Sequence, residues 1–255
     1  MRNLVYESLA LRARESPGGS RVLSLLTAEA GLVDVFVFGG PKSKLRSLAS
    51  PYAVGRAFVY LDPVKDFLKL TDFEVRDSFP ALREDLGRLW AAGLVAELLL
   101  KSHGGGGDFP LVLRLASECL AVLDSMDPIS HEPAILCFLW RFLELLGIAP
   151  DPSLCASCGA QIRPSPSGPE EAGAYSFSAE AFLCPRCAER SERALFLGRG
   201  ALRWLIRVPE LGFSEAARLP LMPETAVTLK ALLFGLARMA AEAPLASLES
   251  GVLSP

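Results

Sequence analysis

Histidine is scarce in this chain of 255 residues, which holds only His103 and His131. Catalytic triads and most general acid–base sites rely on an imidazole that titrates near neutral pH. The segment His131-Glu132 begins like the H-E-x-x-H motif of zinc proteases, but residue 135 is Ile and the motif fails. A zinc nucleobase deaminase is disfavoured as well, because no H-x-E segment accompanies a P-C-x-x-C segment. Histidine-based chemistry is therefore poorly supplied, and since the sequence suggests no convergent cluster of acids either, we predict that the protein is not an enzyme.

Long apolar runs and a secretory leader are also missing. The longest apolar stretches, Leu89–Leu100 and Ala134–Ile148, carry charged residues and fall short of the roughly 20 residues that span a membrane. The first residues lack the apolar core of a signal peptide. We therefore expect a cytoplasmic protein with no membrane partner, whose six cysteines stay reduced.

Neither sign of charge is in large excess, since 26 Lys and Arg stand against 29 Asp and Glu for a formal net charge of −3. A phosphate-binding surface would therefore be a local patch and not a property of the whole chain. A nucleotide-binding P-loop is excluded, because Pro41 precedes Lys42 where the Walker A motif needs glycine.

Cysteine carries the strongest chemical signal. Cys155-Ala-Ser-Cys158 is followed after 25 residues by Cys184-Pro-Arg-Cys187. Zinc takes four soft ligands at tetrahedral corners, and two C-x-x-C turns supply all four. The loop between the pairs exceeds the usual spacing of roughly 15–20 residues, and its excess, residues 163–173, reads as a solvated insertion between two strands.

Two other interpretations of these cysteines stay open. Two disulfides would need an oxidising compartment, to which nothing in the chain points. A redox pair at Cys184 and Cys187 would normally open a helix after a strand in a βαβ unit, and we predict no such unit. A four-thiolate zinc site is closed, so the metal would be structural. Cys119 and Cys137 lie in apolar helical surroundings and read as core residues.

The first 80 residues predict a small barrel. Strand patterns occupy residues 3–13, 21–29, 32–38, 52–61 and 67–77, and they are separated by turn residues. Five short strands without a long intervening helix favour an antiparallel β-barrel of the OB-fold type.

A basic segment lies between the third and fourth strands. Lys42, Lys44 and Arg46 are its cations, and it contains no acid. It reads either as a solvated loop or as a phosphate-contacting patch at the barrel rim. Arg56, Lys65 and Lys69 are candidates to extend such a patch. The barrel aromatics that are candidates to stack on bases are Phe36, Phe38, Tyr52 and Phe58.

Helical spacing of apolar residues dominates from residue 79 onward. It predicts helices over residues 79–101, with Ser78 as N-cap, then 110–125, 131–148, 198–208 and 223–243; residues 102–108 read as a flexible linker and the tail from 246 as frayed. Arg199, Arg203 and Arg207 recur every four residues and so share one helix face. That face is either solvated or a basic groove for an acidic peptide or DNA.

This order of a small barrel, a helical region and two interrupting C-x-x-C pairs resembles the RecO family of bacterial recombination mediators. The resemblance rests on Leu23–Gly31, Lys42-Ser-Lys-Leu-Arg46, Ala92–Lys101, Phe177-Ser178 and, most specifically, Phe138–Gly147 followed by Pro150, Cys155 and Cys158. The family often carries a basic residue just before the glycine at position 39, where this chain has Phe38.

The resemblance implies an α+β protein with an OB-fold-like barrel over residues 1–78, a helical domain over 79–152 and 191–255, and an inserted zinc module over 153–190. It also implies a nucleoid-associated DNA repair factor that binds and anneals DNA. Such proteins help load RecA on strands coated by SSB, with RecR as partner and the acidic SSB tail docked on the helical domain. An interaction scaffold with weak DNA binding and a nucleic-acid-modifying enzyme with a zinc ribbon are the alternatives.

Overall fold

The computed structural model describes residues 2–16, 19–40, 42–62, 67–126, 131–164 and 171–249. They form two compact units, Met1–His131 with Ala241–Ser254 and Glu132–Ala240. The predicted α+β class is confirmed. The boundaries expected after residues 78, 152 and 190 stay a prediction. None of the helices in the described ranges is long and apolar enough to cross a membrane.

Five strands of the first unit close into a barrel. They are β1 (Arg2–Glu15), β2 (Arg21–Thr27), β3 (Gly31–Val37), β4 (Val54–Asp62) and β5 (Phe67–Asp77). Their neighbour order is β1-β2-β3-β5-β4, and β4 pairs back with β1. Four pairs are antiparallel and β3 runs parallel to β5, because five strands cannot alternate in direction all the way around a closed barrel. The predicted OB-fold-like barrel is confirmed.

Alternation along the strands separates the barrel's core from its outer face. In β3, Val35 and Val37 are fully buried, whereas Phe36 and the following Phe38 face outward. Leu23 and Leu25 of β2 join the same core. Successive side chains of a strand point to opposite faces. The same strand therefore presents apolar residues to the core and aromatic residues to the outer face.

A short helix, α1 (Lys44–Leu48), connects β3 to β4. Its Leu45 and the following Ala49 pack against the barrel core. The sequence analysis took this segment for a loop or a rim patch and did not predict the helix. Five residues are too few to display a helical period, and the helix owes its place to packing on the barrel.

Three helices complete the first unit: α2 (Leu86–Lys101), α3 (Phe109–Ser125) and α9 (Ala246–Glu249). The prediction of a helix from residue 79 capped by Ser78 is wrong. Asp85 is the N-cap of α2, and its carboxylate accepts a hydrogen bond from the Arg88 amide at 2.8 Å. Pro80–Arg83 forms a separate 3₁₀ turn, because Phe79 adopts a left-handed conformation. Helix α9 occupies the start of the tail expected to fray, and residues 250–255 lie outside the described residues.

A glycine-rich turn joins α2 to α3. Residues 103–107 all have positive φ, between 52° and 142°, a region in which glycine pays little steric cost. The Gly104 amide donates to the Leu99 carbonyl at 2.8 Å, and a Cβ on Gly104 would lie 3.3 Å from Leu26 and Leu32 of the barrel. The structure therefore shows a packed turn where the sequence analysis predicted a flexible linker.

The second unit combines helices with a small sheet. Its elements are α4 (His131–Leu145), β6 (Glu171–Ser176), β7 (Ala181–Leu183), α5 (Pro185–Ala188), β8 (Ala194–Gly198), α6 (Arg199–Arg207), α7 (Phe213–Ala216) and α8 (Pro223–Ala241). The sheet has the order β7-β6-β8. Tyr175 packs edge-on against Phe177 and Phe182, with ring centroids 5.0 and 5.3 Å apart. The sequence analysis did not predict β8, and residues 165–170 of the expected insertion lie outside the described residues.

Candidate metal centre and nucleic-acid interface

Four cysteine sulfurs converge in the second unit. The Sγ atoms of Cys155, Cys158, Cys184 and Cys187, here called the four-cysteine cluster, all lie within 4.8 Å of one another. Cys158 Sγ and Cys184 Sγ are 3.9 Å apart. A tetrahedral site with metal–sulfur bonds of about 2.3 Å separates its sulfurs by about 3.8 Å, whereas a disulfide brings two sulfurs to about 2.05 Å. The spacing therefore fits a four-thiolate metal site.

Backbone hydrogen bonds bring the two C-x-x-C pairs together. The Gly159 amide donates to the Cys155 carbonyl at 2.8 Å, and the Cys187 amide donates to the Cys184 carbonyl at 3.0 Å, so each pair lies on a tight turn. The Ala156 amide then donates to the carbonyl of Phe182 in β7 at 2.9 Å. Because β7 ends just before Cys184, this bond joins the first turn to the second.

The acidities of the thiols differ within the cluster. Burial raises the pKa of Cys155, but amides of Cys184, Cys158 and Ser157 donate to its sulfur and lower the pKa to about 6. The Ser157 hydroxyl lowers the pKa of Cys187, but the sulfurs of Cys184 and Cys158 raise it to about 11. The thiolate of Cys155 is therefore favoured, whereas that of Cys187 is opposed by the neighbouring sulfurs.

The remaining two cysteines belong to the apolar interior. Cys119 of α3 and Cys137 of α4 are both fully buried. The prediction that they are core residues is therefore confirmed.

The outer face of the barrel carries an aromatic patch, which we define as Phe36, Phe38, Phe67 and Lys69. The ring centroid of Phe36 lies 6.2 Å from that of Phe38 and 5.3 Å from that of Phe67. Phe38 is 44 % exposed. Lys69 Nζ lies 5.5 Å from the Phe38 ring centroid. The patch therefore combines an exposed ring with a cation above it.

Phe67 and Tyr60 were missed by the sequence analysis. Tyr60 lies opposite Lys69 in the β4–β5 register, so it lies on the outer face next to the patch. Strand alternation was visible in the sequence, but which strands are neighbours was not. The parallel β3–β5 pairing, which sets Phe36 beside Lys69, is a long-range contact that no local pattern encodes.

The predicted cations of the barrel divide into four groups, one of which consists of the buried Arg46. Lys42, Lys44 and Lys69 are exposed. Arg56 is 54 % exposed and forms an ion pair with Glu74 at 2.5 Å, and it also lies 5.9 Å from the Phe58 ring centroid. Lys65 lies outside the described residues, so its predicted DNA contact is left without a structural account.

Arg46 differs from the other predicted cations, because only 6 % of its side chain is exposed. Its guanidinium pairs with the Glu15 carboxylate at 2.7 Å and donates to the Gly19 carbonyl at 3.1 Å. The Arg46 guanidinium thus holds α1 to the end of β1 and the turn that follows it. A contact between Arg46 and DNA stays an untested prediction.

Two candidate stacking residues are not members of the aromatic patch. Tyr52 is half-buried in the turn before β4, and burial raises the pKa of its hydroxyl, although Arg83 acts in the opposite direction. Phe58 is half-buried on β4 beneath Arg56. Neither joins Phe36 and Phe38 in the described ring contacts.

The three arginines of α6 follow one another at four-residue intervals, as predicted. Arg203 is exposed and donates to the Pro164 carbonyl at 3.4 Å. Arg207 forms an ion pair with Glu210 at 2.5 Å, and Arg199 is half-buried. The helix therefore presents a basic face on which the positive charge is partly neutralised.

Comparison with known proteins gives a consistent result. Residues 83–249 match the family model described as "Recombination protein O C terminal". A "DNA repair protein RecO" of Anaeromyxobacter sp. (strain K) is 35 % identical over 221 residues, which cover 84 % of this chain and 82 % of the relative. A second, from Heliobacterium modesticaldum, is 30 % identical over 230 residues, covering 88 % and 80 %. A third, from Symbiobacterium thermophilum, is 27 % identical over 225 residues, covering 88 % and 86 %.

Proposed function

The chain belongs to the RecO family, and on this premise we propose that it is a DNA-binding recombination mediator of DNA repair with no enzymatic activity. It binds single- and double-stranded DNA, anneals complementary single strands and, together with RecR, assists RecA loading on SSB-coated DNA. It acts in the cytoplasm at the nucleoid. A closed four-thiolate centre, which leaves no coordination position for water or substrate, supports a non-enzymatic role.

The observation that carries the proposal is the aromatic patch. Base–aromatic stacking contributes about 1–3 kcal/mol per base, and cations beside the rings neutralise phosphates. Phe38 is exposed with Lys69 above it, which supplies both interactions at one place. Lys42 and Lys44 follow Phe38 by four and six residues and are exposed. We propose that a single strand stacks on Phe38 while these three lysines contact its phosphates.

Fluorescence anisotropy of a labelled single-stranded oligonucleotide, titrated at several salt concentrations, tests this proposal. Phe38→Ala should weaken binding by about tenfold and leave the salt dependence unchanged, because stacking is lost and no charge is. Lys42→Ala with Lys44→Ala should lower the slope of log affinity against log salt by about 1.4, since each phosphate contact on a single strand contributes about 0.7.

Phe196→Ala is the matched control for Phe38→Ala. Phe196 lies on β8 and is 40 % exposed, close to the exposure of Phe38, but it belongs to the other unit. Unchanged affinity in Phe38→Ala, with the same folding as the control, would contradict the stacking site. Equal losses in both variants would show that the effect is a general one of removing an exposed ring.

We further propose that the metal of the four-cysteine cluster is structural Zn²⁺. Four cysteine sulfurs at this spacing are the ligand set that zinc prefers. The ion would cross-link the two C-x-x-C turns and so hold β7 to the segment that precedes β6. Metal analysis of the purified protein by mass spectrometry should find one zinc per chain.

We propose that the acidic C-terminal tail of SSB binds the basic face of α6. Exposed Arg203 and the neighbouring Arg207 support this assignment, and the ion pair of Arg207 with Glu210 would exchange for one with the tail. Arg203→Glu should weaken binding of a fluorescent SSB-tail peptide, whereas Arg218→Glu, an exposed arginine after α7, should not. RecR is the second proposed partner, and co-elution of the two purified proteins tests it.

An interaction scaffold with weak DNA binding is the second candidate function. One observation favours it: Arg14, Arg56 and Arg76 on the barrel all pair with acidic residues, which reduces the positive field of its surface. In this case the oligonucleotide would bind weakly or not at all even at low salt, although RecR and the SSB-tail peptide would bind. The same anisotropy titration therefore separates the two functions.

A further inference from the structure

A pocket of about 420 Å³ lies within the second unit, between the C-terminal half of α4, the segment after it and α6. Its walls are part apolar and part polar, and the indole of Trp140, Leu205, Ile206 and Pro150 contribute to the apolar part. Trp140 is fixed in place, because its Nε1 donates to the Leu205 carbonyl at 2.9 Å. The volume is at the lower end of the range of about 300–1,000 Å³ that holds small ligands, so it suits one or two side chains.

The charge of the pocket is negative. Glu144 and Asp151 both line it and are exposed, and no lysine or arginine among the described residues does. The Asp151 carboxylate is held by hydrogen bonds from the amide and hydroxyl of Ser153, at 2.8 and 2.6 Å. Partial burial raises the pKa of Glu144, although Arg141 acts in the opposite direction.

Arg141, whose charge lowers the pKa of Glu144, is held in place by contacts with the segment after α6. Its guanidinium donates to the Val208 carbonyl at 2.7 Å and to the Leu211 carbonyl, and it lies 5.6 Å from the Phe213 ring centroid. These contacts hold it against the segment that follows α6. The two carboxylates of the pocket therefore remain available to a positive charge from outside.

We propose that this pocket receives an arginine or lysine side chain from a short segment of a partner protein. The apolar part of the wall, chiefly Pro150 and Ile206, would pack against the hydrocarbon stem, and Glu144 and Asp151 would bind the cationic head. Four of the lining residues, Glu144, Gly147, Asp151 and Pro209, are exposed, so a peptide chain from outside can contact them. An acidic segment would meet like charge here, so this site is distinct from the basic face of α6.

Titration of the full chain with three capped hexapeptides tests the proposal. The first alternates leucine and arginine, and the others replace arginine by glutamine or by glutamate. The arginine peptide should bind about tenfold more tightly than the glutamine peptide, since exposed charge pairs are modest in strength, and the glutamate peptide should bind most weakly. Movement of the Trp140 indole N–H signal in NMR spectra would report binding at the pocket.

Variants decide whether the two carboxylates are responsible. Glu144→Gln with Asp151→Asn should remove the preference for arginine, and Glu144→Gln alone should reduce it. Glu215→Gln, an exposed glutamate of α7 outside the pocket, should not change it. Equal affinity of the arginine and glutamine peptides, tighter binding of the glutamate peptide, or equal losses in the Glu215 control would overturn the proposal. Oligonucleotide binding by the barrel should not respond to any of these variants.

Discussion

The barrel of the first unit and the small sheet of the second unit are both made of β-strands, but different forces hold them. The barrel is closed, so it has no free edge, and a continuous apolar core fills it. The sheet β7-β6-β8 has strands of three, six and five residues and two open edges. Its aromatic trio, Tyr175, Phe177 and Phe182, is small, and the four-cysteine cluster lies beside it.

This difference determines how much stability each region loses when a single residue is substituted. A barrel residue such as Phe73 is one of many that share the burial of apolar surface, so its loss removes a fraction of the stability. A metal site forms only when all of its ligands are present, so the loss of one sulfur removes most of its contribution. The stability from apolar burial is therefore shared among many residues, whereas the stability from metal coordination depends on every one of four ligands.

Replacing Cys158 by serine should produce the largest effect. Cys158 is exposed, so the change creates no cavity, but it removes one of four proposed zinc ligands. Structural zinc sites contribute about 10–16 kcal/mol to the folding of small peptides. We expect loss of the zinc and rapid hydrogen exchange at the Ala156 amide, with slow exchange retained in β1–β5. Mass spectrometry of the intact protein and of its exchanged fragments measures both.

Ala160→Ser is the control, because Ala160 is exposed in the same loop and is not a proposed ligand. Retained zinc in Cys158→Ser would contradict the four-ligand site. Loss of protection in the barrel as well would show that the two regions do not differ in the way described above.

Phe73→Ala is the converse experiment and should be the second largest effect. The Phe73 side chain is 1 % exposed in the barrel core, and a Phe→Ala change at such a site costs about 3–5 kcal/mol. Urea unfolding followed by circular dichroism should show a barrel transition at lower denaturant, while zinc content stays unchanged. Phe38→Ala, which removes an exposed ring of the same barrel, should leave that transition nearly in place. A similar shift would show that the exposed ring stabilises the barrel as much as the core ring does.

Strand alternation and cysteine spacing allowed much of this fold to be predicted. Alternation of apolar residues is a local property, so it identified the five barrel strands within a few residues. The C-x-x-C spacing identified the four-cysteine cluster, because the geometry of each pair is set by one turn. Both signals are contained in short segments and survive without knowledge of the tertiary structure.

The features that sequence reasoning missed depend on packing between distant segments. Helix α1 exists because Leu45 meets the barrel core. Arg46 is buried because Glu15, 31 residues earlier, provides its partner. Phe67 and Tyr60 join the surface of the aromatic patch only through the strand order of the barrel. Local patterns contain none of this information, so a run of cations was read as one surface when it contains a buried member.

Arg46→Ala compared with Lys44→Ala should separate a structural cation from a surface one. Arg46→Ala should lower the free energy of unfolding by about 1.5–3 kcal/mol, because a buried guanidinium loses charged hydrogen bonds to Glu15 and Gly19. Lys44→Ala, at an exposed site, should change it by less than about 0.5 kcal/mol while weakening DNA binding. Urea unfolding and the anisotropy titration measure the two properties. The reverse assignment of effects would show that Arg46 contacts DNA.

Polar contacts of Glu97 attach α9 to α2, and we expect them to be weaker than either apolar burial or metal coordination. The Glu97 carboxylate of α2 accepts hydrogen bonds from the amides of Ala246 and Ser247 at 2.8 and 2.9 Å, at the start of α9, and pairs with Lys101 at 3.0 Å. Burial raises the pKa of Glu97, but the two amides and Lys101 lower it below its usual range overall. A carboxyl with a lowered pKa stabilises the folded state at neutral pH, and this contribution is lost as pH falls through the folded pKa, below about 4.3.

Glu97→Ala should therefore release α9 at a cost of about 1 kcal/mol, the usual effect of losing a helix N-cap. Hydrogen exchange at the amides of Leu248 and Glu249 should accelerate, because both donate to the Leu245 carbonyl within this short helix. In the unmodified protein the protection factors of these amides should fall as pH drops through the folded pKa of Glu97. At neutral pH, Glu118→Ala, at an exposed glutamate of α3, should leave them unchanged. If neither Glu97→Ala nor acid pH changes the protection of these amides, α9 is held by the burial of Leu245 and Leu248. In that case the same apolar burial that stabilises the barrel also attaches α9.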